Sequence, residues 1–311
     1  TSRYEFSRLN IDHSPSRYEF GHPLILDDGS LIAHAQYSPI FKVDFCGKLL
    51  WVNDDDNFHH AINLDHNNDI WVPTKMYPYS DFVSYYRQDK KYYDDAITKI
   101  NLSGKITYQK SLSEILIKNN IVGENLFLTD DPLHLNDIEP ALTDGTYWKK
   151  GDVFLSIRDL GLVVLFRPSN EKVLKVIKGN FSGHHDVDIL NDSQISIFNN
   201  NSVGLDDKFS EILIYDFDKE KIEKKYSKIL ESLEFKTDSE GLIDYLNDGS
   251  FIIEEQNEGR LLLINKNQDL EWEFINKGEN GKIYVITWSR IIKDNLVINS
   301  IKNLIKNRKC N

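Results

Sequence analysis

The sequence lacks the long apolar runs that a membrane-spanning helix needs, because no window approaches about 18 consecutive apolar residues. The sequence also has fewer basic than acidic residues: it contains 37 Lys and Arg residues and 49 Asp and Glu residues, which give a formal net charge of -12 at pH 7. This balance argues against a nucleic-acid-binding surface, which requires clustered Lys and Arg. No Pro- or Gly-rich stretch divides the chain, so we expect one domain over residues 1–311.

Cysteine is almost absent. Only Cys46 and Cys310 are present, and their spacing alone leaves open one disulfide in an oxidising compartment or two separate thiols. With 40% hydrophobic and 12% aromatic residues, 311 residues are enough to bury a core without metal or disulfide staples. The sequence starts with Thr1 rather than Met, which fits either a processed start, as after removal of a signal peptide or anchor, or a truncated one.

One pattern recurs along the chain. Four segments align without a gap, with an aliphatic residue at +4, Gly, Asn or Asp at +7 and Ile at +10: HPLILDDGSLI (22–32), HAINLDHNNDI (60–70), HDVDILNDSQI (185–195) and LIDYLNDGSFI (242–252). Each predicts a short strand, a tight turn and a second strand. A fifth, irregular copy starts at His134.

A second predicted hairpin follows each copy, so the repeating unit has four strands. Units of about 40 to 55 residues arranged around a circle are typical of a β-propeller. Five units are readable, and residues 281–292 with 295–300 supply strands for a sixth that the N-terminal segment helps to close. We therefore expect an all-β, six-bladed β-propeller with four-stranded antiparallel blades. A tyrosine-rich insertion at 77–95 should lie over one face, and residues 111–120 should form a short helix.

Histidines occupy the first position of the repeat. In a propeller the first strand of each blade lines the central channel, so this position should recur at one height around the axis. The residues concerned are His22, His60, His134 and His185, with Leu242 in the last copy. Converging imidazoles suit a metal site, an anion site or a nucleophile with its acid/base partner. The carboxylate nearest the ring, Asp186, alternates away from His185, which argues against the metal.

Three segments resemble a known family. FSGHHDVDIL with ISIFNN, at 181–190 and 195–200, resembles the segment around the nucleophilic histidine of the bacterial aryl-sulfate sulfotransferases. FHHAINLDHNNDIWV (58–72), and DPLHLNDIEPAL with DVFLSIRD (131–142 and 152–159), resemble the two other histidine-bearing blades of that family. The resemblance covers about residues 22–290 and implies a six-bladed propeller that uses no nucleotide sulfate donor.

The resemblance also implies roles for individual residues. His185 matches the histidine that becomes sulfurylated, His60 and His134 match the histidines that hold the sulfuryl oxygens, Asn136 matches a neighbouring polar ligand and Arg158 the active-site arginine. The implied reaction moves a sulfuryl group from an aryl sulfate to a phenolic or other hydroxyl acceptor by ping-pong covalent catalysis, without cofactor or metal. His60 or His134 would exchange the proton with the phenol oxygen. The family also implies export to the periplasm.

Further substrate contacts are expected from His22, His59, Thr287 and Tyr79. Tyr79 belongs to the insertion and would stack on an aryl group, and Thr287 is the candidate for the family's active-site hydroxyl. Period-2 alternation sends His184 to the side opposite His185, so we expect it to pack either against a neighbouring blade or against a group that supports the site from behind. Two other functions stay open: a non-catalytic propeller that binds an anionic ligand or a protein partner, and a metal-dependent hydrolase or lyase built on the histidine ring.

Overall fold

The computed structural model describes residues 20–89, 91–202, 209–307 and 310. Their strands form five four-stranded antiparallel units, numbered in chain order. Unit 1 contains β1 (Phe20–Ile25), β2 (Leu31–Ala35), β3 (Ser38–Val43) and β4 (Leu49–Phe58), and unit 2 contains β5 (Asn63–Leu64), β6 (Ile70–Lys75), β7 (Asp95–Ile100) and β8 (Ile106–Ser111). Unit 3 contains β9 (Leu135–Pro140), β10 (Val153–Ile157), β11 (Leu162–Arg167) and β12 (Lys172–Lys178). Unit 4 contains β13 (Val187–Ile189), β14 (Gln194–Asn199), β15 (Glu211–Asp216) and β16 (Lys221–Lys225), and unit 5 contains β17 (Ile243–Tyr245), β18 (Phe251–Glu255), β19 (Arg260–Ile264) and β20 (Leu270–Ile275).

Helices lie between or after the units. They are α1 (Asp81–Tyr86), α2 (Leu112–Lys118), α3 (Ser227–Ser232) and α4 (Asn295–Asn307), with 3-10 helices at Glu124–Leu128 and Arg158–Leu160. The helix predicted within 111–120 is confirmed as α2. Ser111 is its N-cap residue, and the side chain of Ser111 accepts a hydrogen bond from Glu114 N. The insertion at 77–95 contains α1, and its residue Val83 is buried against Tyr92 and Phe127.

The predicted hairpins are confirmed, and their turns explain why they form. In the first hairpin of unit 1, Asp28 Oδ1 accepts a hydrogen bond from Ser30 N at 2.8 Å. The first hairpin of unit 5 repeats this contact, with 2.9 Å between Asp248 Oδ1 and Ser250 N. A short carboxylate that binds the backbone two residues later stabilises a tight turn. The Asp, Asn and Gly residues of the repeat therefore set the hairpins.

The core lies between successive units. Within β10, Leu155 packs into a cluster shared with unit 2, whereas its neighbour Phe154 packs into a cluster shared with unit 4. Both side chains are fully buried, because alternate residues of a strand point to opposite faces of its sheet. A third cluster joins units 4 and 5, and a fourth joins units 1 and 2, whose strands β4 and β6 also pair. Each unit therefore depends on its neighbours for burial, as propeller blades do.

Hydrogen bonds from the innermost strands connect the units directly. Asp137 Oδ2 accepts from Val187 N at 3.1 Å, which joins unit 3 to unit 4. Asp186 Oδ2 accepts from Ile243 N at 3.1 Å, which joins unit 4 to unit 5. We call these contacts the inter-unit bonds. They satisfy backbone N–H groups at the start of inner strands, where burial would otherwise leave them unpaired.

The segment after unit 5 runs back to unit 1. Trp288 N donates to Glu254 Oε1 of β18 at 2.9 Å, while Thr287 Oγ1 donates to Phe20 O of β1 at 3.0 Å. Arg290 Nε then donates to Pro23 O at 2.9 Å. Residues 284–291, which we call the closing segment, therefore link unit 5 to unit 1.

The predicted six-blade count is not confirmed, because the part of the chain that the structure describes forms five units. Within 281–292, Ile283 makes a single bridge to Lys277, and the strand prediction for 295–300 is wrong, because these residues belong to α4. Val297, Ile301 and Leu304 lie on one half-buried face of α4, so the apolar residues follow the helical period of 3.6. The predicted contribution of residues 1–19 to ring closure lies outside the described residues.

A disulfide joins the two cysteines. It connects Cys46, in the turn between β3 and β4, to Cys310, which follows α4 and lies 264 residues later. Leu304 of α4 packs beside Gly29 in the turn between β1 and β2, and Phe45 of the Cys46 turn lies beside the same glycine. Of the two alternatives left open by the sequence, the structure contains the bonded one.

We predict that the Cys46→Ser, Cys310→Ser double variant releases α4 and leaves the five units folded. None of the residues of α4 is fully buried, so the disulfide is a main constraint that holds the helix against unit 1. Hydrogen exchange should show faster exchange at 295–307 and unchanged protection in β10. Equal loss of protection in both regions would show that the disulfide stabilises the whole chain.

We predict that Asp188→Asn stabilises the protein more at pH 8 than at pH 5. Burial, with the charges of Asp186 and Asp244, raises the pKa of Asp188 well above its ordinary value. The unfolded chain therefore loses this proton first, and stability falls as pH rises above about 4 toward the folded-state pKa. Urea unfolding at both pH values measures the difference, with the exposed Asp192→Asn as control. An equal effect at both pH values would contradict the prediction.

Candidate active site

Three of the four predicted channel histidines share an uncommon backbone conformation. His22, His60 and His134 have φ values of 44°, 58° and 53°. Residues other than glycine rarely adopt this left-handed region, and such residues cluster at functional sites. In unit 4 the left-handed position falls on Gly183, with φ 70°, two residues before His185. The chain therefore makes a left-handed turn as it enters the inner strand, where the histidines lie.

The structure brings His60, His134 and His185 together. The ring centroid of His60 lies 5.1 Å from that of His134 and 6.0 Å from that of His185. Trp288 of the closing segment completes the group, at 5.5 Å from His60 and 6.3 Å from His185. The ring of His22 contacts Trp288 at 5.7 Å between centroids, and its Nδ1 accepts a hydrogen bond from the backbone that leads into unit 2.

Hydrogen bonds fix the protonation state of His185. Its Nδ1 lies 2.8 Å from Asn200 Oδ1 and 2.7 Å from Gly183 O, and both partners are acceptors. The proton therefore sits on Nδ1, and Nε2 keeps its lone pair, which accepts from Glu240 N at 3.2 Å. Burial lowers the pKa of His185 to about 3, against the opposing hydrogen bond to Asn200. His185 is thus a neutral imidazole near pH 7, with Nε2 as its basic nitrogen.

Asn200 contacts both the ring of His185 and the backbone of a neighbouring loop. Its side chain is fully buried, and Nδ2 donates to Thr237 O at 3.0 Å and to Glu240 O at 2.8 Å. One side chain therefore orients the ring of His185 and holds the 237–240 loop, whose backbone N–H contacts Nε2 of that ring.

His60 is part of a pair of adjacent imidazoles. Its Nδ1 lies 2.7 Å from Nδ1 of His59, so one ring donates to the other. The amide nitrogen of Gln36 lies 3.2 Å from each ring nitrogen of His60. Burial lowers the pKa of His60 well below its ordinary value and lowers that of His59 to about 4. Both rings are therefore neutral near pH 7.

A carboxylate supports His134 instead. Asp131 Oδ2 accepts from His134 Nδ1 at 3.1 Å, and the other oxygen of Asp131 lies 2.9 Å from Lys75 Nζ. Although burial opposes it, the contacts with His134 and Lys75 hold the pKa of Asp131 well below its usual range. His134 is the ring of the cluster that contacts a carboxylate directly, an arrangement that stabilises an imidazolium.

Arg158 and Asn136 border the cluster from unit 3. Arg158 N donates to His134 O at 3.1 Å, and its guanidinium Nε donates to Asp159. Burial is the main reason why the pKa values of His60 and His185 are low, and the nearby charge of Arg158 lowers both further. Asn136 is fully buried and donates to His184 O at 2.8 Å, while its Oδ1 has no hydrogen-bond partner among the described residues.

Other predicted residues lie further from the cluster. Thr287 Oγ1 donates to the backbone of β1, and Tyr79 packs on Tyr77 and Tyr92 within the insertion. His184 is buried, and its Nε2 lies 3.1 Å from Leu162 O of unit 3, which confirms its predicted contact with a neighbouring blade. Substrate contacts by Thr287 and Tyr79 stay predictions.

Six residues at this site were not predicted from the sequence. They are Gln36, Asn200, Trp288 and the charged residues Lys75, Asp95 and Asp131. Asn200 ends the ISIFNN segment and carried a usable signal, because two consecutive Asn residues at the end of a buried strand need polar partners. Gln36 and Trp288 follow no repeat position, so only the fold places them.

Two kinds of feature are absent from the described residues. None of their helices has the length and apolarity needed to cross a bilayer. No group of three or more of their His, Cys, Asp and Glu side chains has an arrangement that could hold a metal ion.

Solved structures with a similar fold are propeller-like. A protein of unknown function from Bacteroides caccae aligns with a TM-score of 0.56 at 10% identity, covering 85% of this chain and 82% of the other. The WD40 repeats of RRP9 align with a TM-score of 0.50 at 10% identity, covering 86% and 68%. At this identity the likeness shows the fold alone, an all-β, propeller-like fold.

No curated protein matches the sequence at a significant level. The family model for arylsulfotransferases (ASST), in contrast, matches residues 22–277, which include units 1 to 5 and the whole histidine cluster. The chain therefore belongs to the arylsulfotransferase family, and aryl sulfotransferase activity is the activity associated with it.

Proposed function

We propose that the protein transfers a sulfuryl group from an aryl sulfate ester to a phenolic or other hydroxyl acceptor, with a sulfohistidine at His185 as the intermediate. The observation that carries this proposal is the state of His185: a buried, neutral imidazole whose Nδ1–H is held by Asn200. A neutral ring with a fixed Nδ1–H has its nucleophilic lone pair at Nε2. In the first step Nε2 forms an N–S bond while the S–O bond to the phenol oxygen breaks.

The cluster would stabilise the sulfuryl group during transfer. Its three oxygens carry the negative charge and need donors around them. We assign this role to Arg158, whose planar fork suits an oxyanion, and to His60 and His134, with Asn136 beside them. Closeness supports the assignment, because Arg158 N contacts His134 O and the ring of His60 contacts both other histidines.

His134 is the better candidate for the acid and base. Its Nδ1 contacts Asp131, so Nε2 can hold the proton that the leaving phenol oxygen requires. The same nitrogen would then take the proton of the acceptor. His60 contacts a second imidazole and Gln36 rather than a carboxylate, which gives an imidazolium no comparable support.

The remaining assignments rest on the family and on position. We propose His22, His59, Tyr79 and Thr287 as residues that contact or support contact with the substrates. Export to an oxidising compartment such as the periplasm is a further proposal, which the disulfide supports. The reaction as proposed uses small-molecule donors and acceptors and requires no cofactor.

We predict that the wild type gains one sulfuryl group, about 80 Da, after brief incubation with 4-nitrophenyl sulfate, and that His185→Ala gains none. Turnover in the variant should fall by about 10³-fold or more, because the nucleophile is absent. Intact mass at neutral or higher pH measures the adduct. His184→Ala is the matched control, since this neighbouring ring contacts Leu162 O on the opposite side.

Labelling of His185→Ala would contradict the role of His185 and direct attention to another nucleophile. Absence of any adduct or phenol release from the wild type with several aryl sulfates would instead favour a propeller that binds an anionic ligand without reacting.

We predict that Asn200→Ala lowers the rate of adduct formation about tenfold. The variant loses one of the two acceptors that orient His185 Nδ1–H and keeps Gly183 O, and one such hydrogen bond is worth about 1 to 1.5 kcal/mol. Asn200→Asp keeps an acceptor oxygen for Nδ1–H and should lose less. Rapid-quench mass spectrometry measures both rates, and equal losses in both variants would show that Asn200 acts only by holding the 237–240 loop.

A further inference from the structure

A buried network of charges lies behind the histidine cluster. Lys75 Nζ lies 2.7 Å from Asp95 Oδ2 and 2.9 Å from Asp131 Oδ1. Beyond these contacts, Asp95 Oδ1 lies 3.3 Å from His59 Nε2, and Asp131 Oδ2 accepts from His134 Nδ1. The network therefore begins at His59, the imidazole beside His60, and ends at His134 of the cluster, and one lysine joins its two carboxylates.

All three charged groups are ionised. The side chains of Lys75 and Asp95 are 1% and 0% exposed, so ionisation must be balanced locally. Burial lowers the pKa of Lys75, but Asp95, Tyr37 and Asp131 outweigh it and leave the pKa above its usual value. Burial raises the pKa of Asp95, but Lys75 and His59 outweigh it and leave the pKa below its usual value.

The charges of the network do not cancel. Within these three groups, two carboxylates and one ammonium leave one negative charge, and Lys75 and Asp95 are buried while Asp131 is partly exposed. Other polar groups nearby do not remove it: Tyr37 is a buried phenol beside His59, Tyr93 contacts the ammonium through its ring, and Arg158 is paired with Asp159. A buried negative charge favours a proton on an adjacent basic group. Two rings contact carboxylates of the network, His59 at Asp95 and His134 at Asp131. Burial lowers the pKa of His59 to about 4, so His59 is neutral near pH 7 and His134 is the remaining ring.

We propose that Lys75, Asp95 and Asp131 form a charge-balancing network whose single excess negative charge keeps one proton on His134 for the leaving phenolate. This inference rests on the proposed sulfuryl transfer. When Nε2 of His185 forms the N–S bond and the S–O bond breaks, the electron pair goes to the phenol oxygen, which takes the proton from His134 Nε2. The acceptor phenol later returns a proton to His134 as its oxygen attacks sulfur and the N–S bond breaks. Lys75 and Asp95 touch no reacting atom and are positioning residues.

The network predicts an effect of Asp95, although Asp95 does not contact His134. Asp95→Asn leaves Lys75 and Asp131, whose charges cancel, so His134 should lose its proton. The Lys75→Met, Asp95→Asn double variant leaves Asp131 alone and restores the excess negative charge. A merely structural role would make the double variant worse than the single one, whereas charge balance makes it better.

The test compares two donors that differ in their need for a proton. Phenyl sulfate releases a phenolate as basic as that of tyrosine, while 4-nitrophenyl sulfate releases a much more stable anion. In Asp95→Asn we expect kcat/KM to fall about 100-fold with phenyl sulfate and less than tenfold with 4-nitrophenyl sulfate, since general acid catalysis contributes about 10²-fold or more. The double variant should regain at least tenfold with phenyl sulfate over the single variant.

Equal losses with both donors, or a double variant weaker than Asp95→Asn, would overturn the proposal. The imidazole ¹⁵N signals of His134 report the same proton without turnover: imidazolium in the wild type, neutral in Asp95→Asn and imidazolium again in the double variant. These spectra separate two failures. A wild type that forms no adduct overturns the proposed transfer, whereas a neutral His134 in the wild type overturns the charge balance alone.

Discussion

The inter-unit bonds are the contacts on which the histidine cluster depends. Each joins a carboxylate of one inner strand to the backbone of the next, as Asp137 does with Val187 and Asp186 with Ile243. Asp244 continues the series to Ile291 in the closing segment. Because these bonds connect inner strands rather than outer ones, they hold the strand starts at a common level around the channel. The residues that lead into these strands therefore meet their counterparts, and in units 2, 3 and 4 they include His60, His134 and His185.

The same arrangement has energetic costs that the fold must offset. Left-handed backbone at His22, His60 and His134 costs about 1 to 3 kcal/mol each, and burial keeps His60 and His185 from gaining charge. The large apolar clusters between units supply the compensating stability, since each strand face is buried against a neighbouring unit. The site therefore forms only when the five units pack against one another, because no single unit buries its own strand faces.

The sequence reveals local features better than distant contacts. Turn residues and period-2 patterns identify most hairpins of the five units, and repeat phase brings His60, His134 and His185 to one cluster. The same pattern fails for 295–300, where apolar residues suit either period and the helix is formed instead. Lys75 and Asp95 carry no signal in the sequence, because surface strands contain the same residues, and only pairing within one sheet makes them a buried ion pair.

Charge distribution around the cluster bears on the kind of anion that the proposed function requires. The rings of His59, His60 and His185 are neutral near pH 7, and the charge of Arg158 is partly matched by Asp159. Further along the inner strands, a cavity of about 300 Å³ is lined by Glu139, Asp186, Asp188 and Asp244 together with two basic residues. A doubly charged phosphate ester would need more positive charge than this channel offers. A sulfate monoester carries one negative charge, which one arginine and neutral donors can balance, so the electrostatics favour sulfuryl over phosphoryl chemistry.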